Sequence, residues 1–416
     1  MNITDREHLR ALFTKPTNYI NTNRGDAYYR ELYKKMEKRL TELRAQKPVR
    51  EAEMKFEEYL KVWELTRRDF LKWVSATTAM LMLPPQFEPL VAQAAEVMNR
   101  IPIIWINIQD CAGNTEALLR SYSPTVDELI LEYLSVEYHE VIMAAAGDQA
   151  EQNLEKAVKD FDGKYLLFVE GSIPVGMPEA FTIGRHPKTG VEHVKHLAEH
   201  AVAVIAVGSC AAFGGVPAAH PNPTGAVGVM DVVKGKPVIN IPACPANPAN
   251  ITGVVIHYIL TGEIPELDSL LRPKFAFGYR IHDNCERRAH FDAGEFVEEW
   301  GDFGAKNNFC LYKMGCKGPF TFNNCSIVRY NEGTNWPIGV GRGCIGCSEP
   351  NFWDVYATER PIADSPIQPP AGRGVESTVD QFGLGVLTAT AVGIGIHAVA
   401  SALAGKKDKE ENKEEV

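Results

Sequence analysis

Between residues 96 and 270 the chain alternates short, continuous apolar runs with longer stretches of mixed character. The runs at 101–108, 165–169, 201–207 and 237–241 are rich in Val, Ile and Leu and show no polar/apolar alternation. Strands with one wet face alternate. Runs without alternation predict strands covered on both faces, and the helical stretches between them predict a parallel α/β sheet. Residues 1–65 differ, because Lys, Arg and Glu dominate and Tyr28, Leu32, Met36, Leu40 and Leu43 fall at loose helical spacing. That pattern predicts a charged N-terminal extension of one or two solvated helices. At the other end a Pro-rich linker, 361–381, leads into an uninterrupted uncharged run of Gly, Ala, Val, Ile and Leu. Its length predicts a transmembrane helix over 382–405, and Lys406, Lys407 and Lys409 place the tail, 406–416, on the cytoplasmic side.

A third pattern precedes the first strand. Thr66-Arg67-Arg68-Asp69-Phe70-Leu71-Lys72 is followed by a modestly apolar run over 73–83 and by Ala92-Gln93-Ala94. Together these read as a twin-arginine export signal over 66–95. Translation starting at Met54 would leave a leader of ordinary size. That export route carries proteins already folded around their cofactors, so it predicts the twin-arginine machinery as a partner and a centre assembled before export.

With 416 residues, 45% hydrophobic and 23% charged, the chain has room for two or three globular domains. The net charge of -10 excludes nucleic acid as a natural partner, since no broad basic surface is available to neutralise phosphates. Nine cysteines are an odd set for disulfide pairing, and their clustering fits metal ligation better.

Three of the four predicted strands run into loops that carry a cysteine: Asp110-Cys111-Ala-Gly-Asn114, Gly208-Ser209-Cys210 and Pro242-Ala243-Cys244. Ligands of open α/β sheets bind outside the carboxyl ends of the strands, so Cys111, Cys210 and Cys244 are expected to converge. The other six cysteines fall between 285 and 347, in the spacings His282-x-x-Cys285, Cys310-x5-Cys316 and Cys344-x-x-Cys347 with Cys325 between them. Soft thiolates with one imidazole suit zinc or iron-sulfur clusters. Spacing divides them into Cys111, Cys210 and Cys244; His282, Cys285, Cys310 and Cys316; and Cys325, Cys344 and Cys347. Three thiolates suit a 3Fe-4S cluster and four ligands a 4Fe-4S cluster. A row of such clusters conducts single electrons and does no substrate chemistry.

From Trp105 to Asp354 the chain resembles the small, electron-transferring subunit of nickel-iron hydrogenases. The motifs are Cys111-Ala-Gly-Asn-Thr-Glu116, Gly208-Ser-Cys-Ala-Ala-Phe-Gly-Gly215, Pro221-Asn-Pro-Thr-Gly225, His282-Asp-Asn-Cys285, Cys310-Leu-Tyr-Lys-Met-Gly-Cys316-Lys-Gly-Pro and Gly343-Cys-Ile-Gly-Cys-Ser-Glu-Pro-Asn-Phe-Trp-Asp354. The resemblance implies a flavodoxin-like, doubly wound parallel sheet over 96–270 that holds the proximal cluster. It also implies a mostly irregular iron-sulfur domain over 271–360 that holds the distal and medial clusters. By that similarity the distal 4Fe-4S cluster takes His282, Cys285, Cys310 and Cys316. The medial 3Fe-4S cluster takes Cys325, Cys344 and Cys347, with the non-ligating Pro337 beside it. Glu116, which ends the first motif, is counted with the cofactor-binding residues.

One position departs from the family. The first motif usually reads Cys-x-x-Cys, and Asn114 stands where the second cysteine would be. The expectation is a proximal 4Fe-4S cluster with one oxygen ligand, from Asn114, Asp110, another carboxylate or water, against a 3Fe-4S alternative. An oxygen donor changes cluster charge and potential. The extra cysteines of the oxygen-tolerant members' unusual proximal cluster are also missing. His282 makes the distal centre less negative and lies among charges suited to an electron exit.

The resemblance also implies partners. The nickel-iron centre sits on a separate large subunit, and this chain lacks the paired CxxC motifs that would hold it. His397 would neighbour or ligate haem in a membrane cytochrome b or other quinone-linked subunit. The expected function is electron relay from hydrogen oxidation to a membrane acceptor, with the cluster-bearing domain on the extracytoplasmic side of the cell membrane. The competing expectations are the iron-sulfur subunit of another respiratory oxidoreductase, such as a sulfur-reducing complex, and an exported zinc-stabilised binding protein.

Overall fold

In the computed structural model, which describes residues 26–46, most of 74–97, 100–122, 124–356 and 385–401, five parallel strands form the central sheet. They are β1 (Ile101–Asn107), β2 (Leu134–His139), β3 (Leu166–Glu170), β4 (Ala203–Val207) and β5 (Val238–Ile241), in the order β2-β1-β3-β4-β5. This is the doubly wound, flavodoxin-like strand order. Every residue of β3, β4 and β5 is buried, which is why their sequences run apolar without alternation. The four predicted strands are present: three are shortened by one or two residues, and the run at 165–169 is shifted by one to Leu166–Glu170. β2 is an addition to them. It is an edge strand whose Ser135, Val136 and Glu137 stay half-exposed, so its run is broken by polar residues.

Period two along the strands sorts the core into two layers. Ile104, Ile106, Leu167, Val169, Val204 and Ala206 pack beneath α4 (Asp148–Asp160) and α5 (Gly190–His200). Ile103, Trp105, Leu166, Phe168, Ile205 and Ile239 face the other way, onto α7 (Pro248–Thr261). Each fully buried aliphatic or aromatic side chain contributes about 1.5–3 kcal/mol. Three further helices complete the described N-terminal and strand-end parts: α1 (Asp26–Gln46), α2 (Glu88–Val97) and α3 (Gly113–Leu119), with α6 (Gly208–Phe213) directly after β4. α7 begins where Asn247 caps the Ala249 amide at 2.9 Å with Pro248 next to it, and it stops at Gly262 with φ 70°.

The N-terminal extension corrects one expectation. α1 is not a solvated helix: Tyr29, Met36, Leu40 and Leu43 are buried against Val74, Leu81, Leu83, Phe87, Leu90 and Val91, and against Ile256 and Leu260 of α7. Lys35 Nζ adds an ion pair to Glu263 Oε2 at 3.1 Å. The apolar stripe is visible in the sequence, and its partners include Val74, Leu81 and Leu83 of the apolar run over 73–83. Arg67 and Arg68 lie outside the described residues, and Ala92-Gln93-Ala94 falls within α2.

The chain divides into two units. One comprises 1–284, 317–340 and 344–358, and the other 285–316, 341–343 and 359–416. In the second, a helix α8 covers 385–401, inside the segment predicted to span a membrane, and its residues are exposed. Among the described residues no helix is long and apolar enough to cross a membrane.

Candidate metal centres

At the carboxyl edge of the sheet, β1 runs through Asp110 and Cys111 into α3. The turn requires Ala112 in the left-handed region, φ 57°. Glu170, the last residue of β3, is fully buried and closes the start of α3. Its carboxylate accepts from the Asn114 and Thr115 amides at 2.7 and 3.1 Å and from Thr115 Oγ1 at 2.6 Å. Asn114 Nδ2, Asn107 Nδ2 and Trp105 Nε1 donate to it as well, at 3.1–3.3 Å. A carboxylate on the orphan amides of a helix N-terminus satisfies donors and interacts favourably with the helix dipole. The loop bearing Cys111 is therefore fixed to the strand beside it.

Cys210 lies on α6, and Cys244 comes just after β5. Backbone here approaches too closely for side chains: a Cβ at Gly208 (φ 83°) would stand 2.5 Å from Asn114 Nδ2, and one at Gly215 (φ 60°) 2.4 Å from Cys210 Sγ. Burial pushes the Cys210 thiol up to about 12, with Cys244, Cys111 and Asp110 among the neighbouring groups that act the same way. Cys244 is raised too, by burial and by Cys111. Three thiols from three separate strand ends thus share one environment, with Cys111 and Cys244 exposed and Cys210 half-buried. Such thiols stay protonated until a metal takes the proton's place, so metal uptake here releases protons. Among the described residues no three His, Cys, Asp or Glu groups close on the position of a single ion. A polynuclear cluster binds its thiolates at separate corners, and this donor set suits one.

Both motif oxygen candidates already accept hydrogen bonds, Asp110 through one of its two oxygens. Asn114 Oδ1 accepts from the Ala246 amide at 2.8 Å, and Asp110 Oδ2 accepts from Asn107 Nδ2 and the Ala112 amide at 2.7 and 2.8 Å. Glu116 is exposed and lies 3.7 Å from Arg120.

The second set lies in irregular backbone of the same unit. Cys325 and Cys344 are buried and Cys347 is half-buried. Asn323 Oδ1 accepts from the Cys325 amide and thiol at 3.1 and 3.0 Å, and the Gly346 amide donates to Cys344 Sγ at 3.3 Å. Burial raises Cys325, and Cys347 adds to the effect. Cys347 is pushed up to about 11 by burial, with Cys244 beside it, and Ser209 Oγ donates to its carbonyl. The two thiol sets therefore adjoin. Pro337 is exposed, one residue from the buried Trp336.

Arg272, which no sequence motif marks, holds this segment. It is 4% exposed, pairs with Asp268 Oδ2 at 2.8 Å and Glu349 Oε1 at 3.0 Å, and donates to the Ser348 carbonyl at 3.1 Å. Glu349 also accepts the Phe322 amide at 2.6 Å. Nothing in an isolated Arg-Pro dipeptide signals that role.

His282 is buried in the turn Ile281–Asn284 of the first unit. Within the second unit, burial pushes Cys285 up to about 11, the Arg287 amide donates to its sulfur at 3.4 Å, and Cys316 is one of the charges that raise it. Cys310 and Cys316 are buried, and the Cys310 carbonyl accepts the Val297 amide at 2.9 Å. His397 lies on α8 and is exposed.

Two family models match: the C-terminal model of the NiFe/NiFeSe hydrogenase small subunit, over residues 277–359, and the NADH ubiquinone oxidoreductase 20 Kd subunit model, over 111–258. The quinone-reactive Ni/Fe-hydrogenase small chain of Wolinella succinogenes is 53% identical over 351 residues, covering 84% of this chain and 98% of its own. The uptake hydrogenase small subunit of Azotobacter vinelandii is 44% identical, with 83% and 95% covered. Among solved structures, the [NiFeSe] hydrogenase of Desulfovibrio vulgaris Hildenborough superposes with a TM-score of 0.59 at 35% identity, covering 63% of this chain and 98% of that one. On the identity and coverage of these relatives, together with the thiol sets at the sheet edge and in the segment after it, the chain belongs to the nickel-iron hydrogenase small-subunit family.

Proposed function

We propose that Cys111, Cys210 and Cys244 hold a proximal iron-sulfur cluster, Cys325, Cys344 and Cys347 a medial 3Fe-4S cluster, and His282, Cys285, Cys310 and Cys316 a distal 4Fe-4S cluster. The chain is the electron-transfer small subunit of a hydrogenase and relays electrons from hydrogen oxidation in its large subunit. Bound clusters supply reversible one-electron transfer. The protein's part is to present thiolates, space them and exclude bulk water. The observation that carries the reading is the gathering of Cys111, Cys210 and Cys244 from three strand ends. Asn114 Oδ1 and Asp110 Oδ2 each accept from a backbone amide, so the fourth proximal donors that leave every one of these bonds in place are water and the second carboxylate oxygen of Asp110. Glu116 and Pro337 then border their clusters without ligating. The nickel-iron centre belongs to the large subunit.

The acceptor is a membrane quinone, reached through a cytochrome b-type subunit. The quinone-reactive name of the Wolinella relative supports this, as does the apolar run that contains α8 and His397. In this reading 66–95 directs twin-arginine export, 96–270 and 271–360 are the two cluster-bearing domains outside the membrane, and 382–405 is the anchor.

Anaerobic purification of the complex tests the reading. Iron in all three centres, a three-iron signal and nickel in a copurifying partner with hydrogen-dependent dye reduction are expected. Zinc in place of iron would sink it, and iron with a nickel-free partner would point to another respiratory oxidoreductase.

A further inference from the structure

In the segment that carries Cys325, three side-chain atoms are buried without a hydrogen-bond partner: Asn323 Nδ2, Ser326 Oγ and Trp336 Nε1. The amide and the indole nitrogens can only donate. A buried donor without an acceptor is costly, and folded proteins rarely keep one. Two so close in sequence point to an acceptor that the protein itself does not supply. Asn323 is the one whose place beside a thiol is fixed. It is 1% exposed, its Oδ1 lies 3.0 Å from Cys325 Sγ, and the same oxygen accepts the Cys325 amide at 3.1 Å. As a thiol, Cys325 donates to that oxygen. As a cluster ligand it has given its proton to solvent and can only accept, and cluster sulfide likewise accepts without donating. Loading the centre therefore removes the sulfur's donation to Oδ1 and supplies acceptors for an Nδ2 that had none. Nδ2 shares its carbon with Oδ1, which puts a free pair of N–H donors a carboxamide's width from the sulfur.

We infer that Asn323 is a hydrogen-bond donor to the medial cluster: its amide nitrogen donates to sulfur of the bound centre and favours the reduced, more negative state. The inference rests on the cluster assignment above. Donors to cluster sulfur raise reduction potential because they favour the added charge. One amide donor changes the reduced-to-oxidised ratio about fivefold at fixed potential.

The test uses the intact two-subunit complex, with asparagine labelled by heavy nitrogen in the side-chain amide. Pulsed magnetic resonance of the medial three-iron signal is read first on the unsubstituted complex, where coupling to a labelled amide nitrogen is expected. Asn323→Leu keeps the shape of the side chain, and Asn323→Asp keeps an oxygen for the Cys325 amide. The coupling should vanish in both. By redox titration the medial reduced-to-oxidised ratio at fixed potential should fall about fivefold in the Leu complex. A role confined to packing would lower iron content and leave the potential of the remaining medial clusters where it was. No labelled-nitrogen coupling in the unsubstituted complex, coupling that persists in either variant, or a Leu ratio within about twofold of the unsubstituted one overturns the inference and leaves the clusters standing. An unsubstituted complex without a medial three-iron signal overturns the cluster assignment, and this inference with it.

Discussion

The two inner thiol sets are neighbours built by opposite means. Cys111, Cys210 and Cys244 come from positions far apart in sequence and are brought together by the regular hydrogen bonding of β1, β4 and β5, with Glu170 pinning α3 to the strand between. Cys325, Cys344 and Cys347 are close in sequence but sit in irregular backbone, where Arg272, Asn250 and Asn323 take over the work of a ladder. Sheet geometry is distributed, because many weak bonds and two apolar layers share the load. The medial segment is concentrated, because one buried guanidinium serves three acceptors.

Removing that guanidinium gives the largest expected effect. Arg272→Ala leaves the Glu349 carboxylate and the Ser348 carbonyl without their partner, at a cost of about 3–5 kcal/mol. Medial iron should be lost while proximal iron remains, as iron counting with a thermal melt would show. Equal loss from both centres would mean that the two supports are not separate.

Acid acts on the sheet side. His139, stacked on Trp105 at 5.1 Å, and His193 of α5 are both held by burial down to about 4. Below about 6.5 the unfolded chain takes up protons that the folded imidazoles refuse, so stability falls as pH drops toward 4, by on the order of 3 kcal/mol for each histidine. Urea midpoints between pH 7 and 4.5 should show this fall, and His139→Phe should flatten it by about half. A slope unchanged in the variant would place the acid sensitivity elsewhere.

Glu170→Ala gives a smaller change, about 2–3 kcal/mol, because several amides lose a charged acceptor but helix and strand remain packed. Its iron loss should be proximal, the mirror image of Arg272→Ala, and medial loss instead would erase the contrast.

The same contrast explains what was legible in the sequence. Unbroken apolar runs announced β1, β3, β4 and β5, since strands covered on both faces leave no room for polar positions. β2 escaped because Glu137 and its half-exposed neighbours dilute the run at the sheet edge. Cysteine spacing grouped Cys325, Cys344 and Cys347, and the loops after predicted strands singled out Cys111, Cys210 and Cys244. Glu170 carried a weaker signal, as an acid ending an otherwise apolar strand. Arg272 carried none, since an arginine acting across tens of residues has no local pattern. Asn114 was visible as a departure from the motif. Only the fold shows its amide oxygen committed to Ala246.

The packing of α1 against residues of 74–91 has a consequence for any cut made within Ala92-Gln93-Ala94. Phe87, Leu90 and Val91 are core residues, and they pack with Ile256 and Leu260 of α7. A cut within Ala92-Gln93-Ala94 would carry them away together with α1, turning a piece of interior into surface. The uncut chain has more apolar surface to bury than the cut one, by about 1.5–3 kcal/mol for each side chain involved. Such a cut would thus remove stability that the folded chain has, and a chain cut before it folds would never have it.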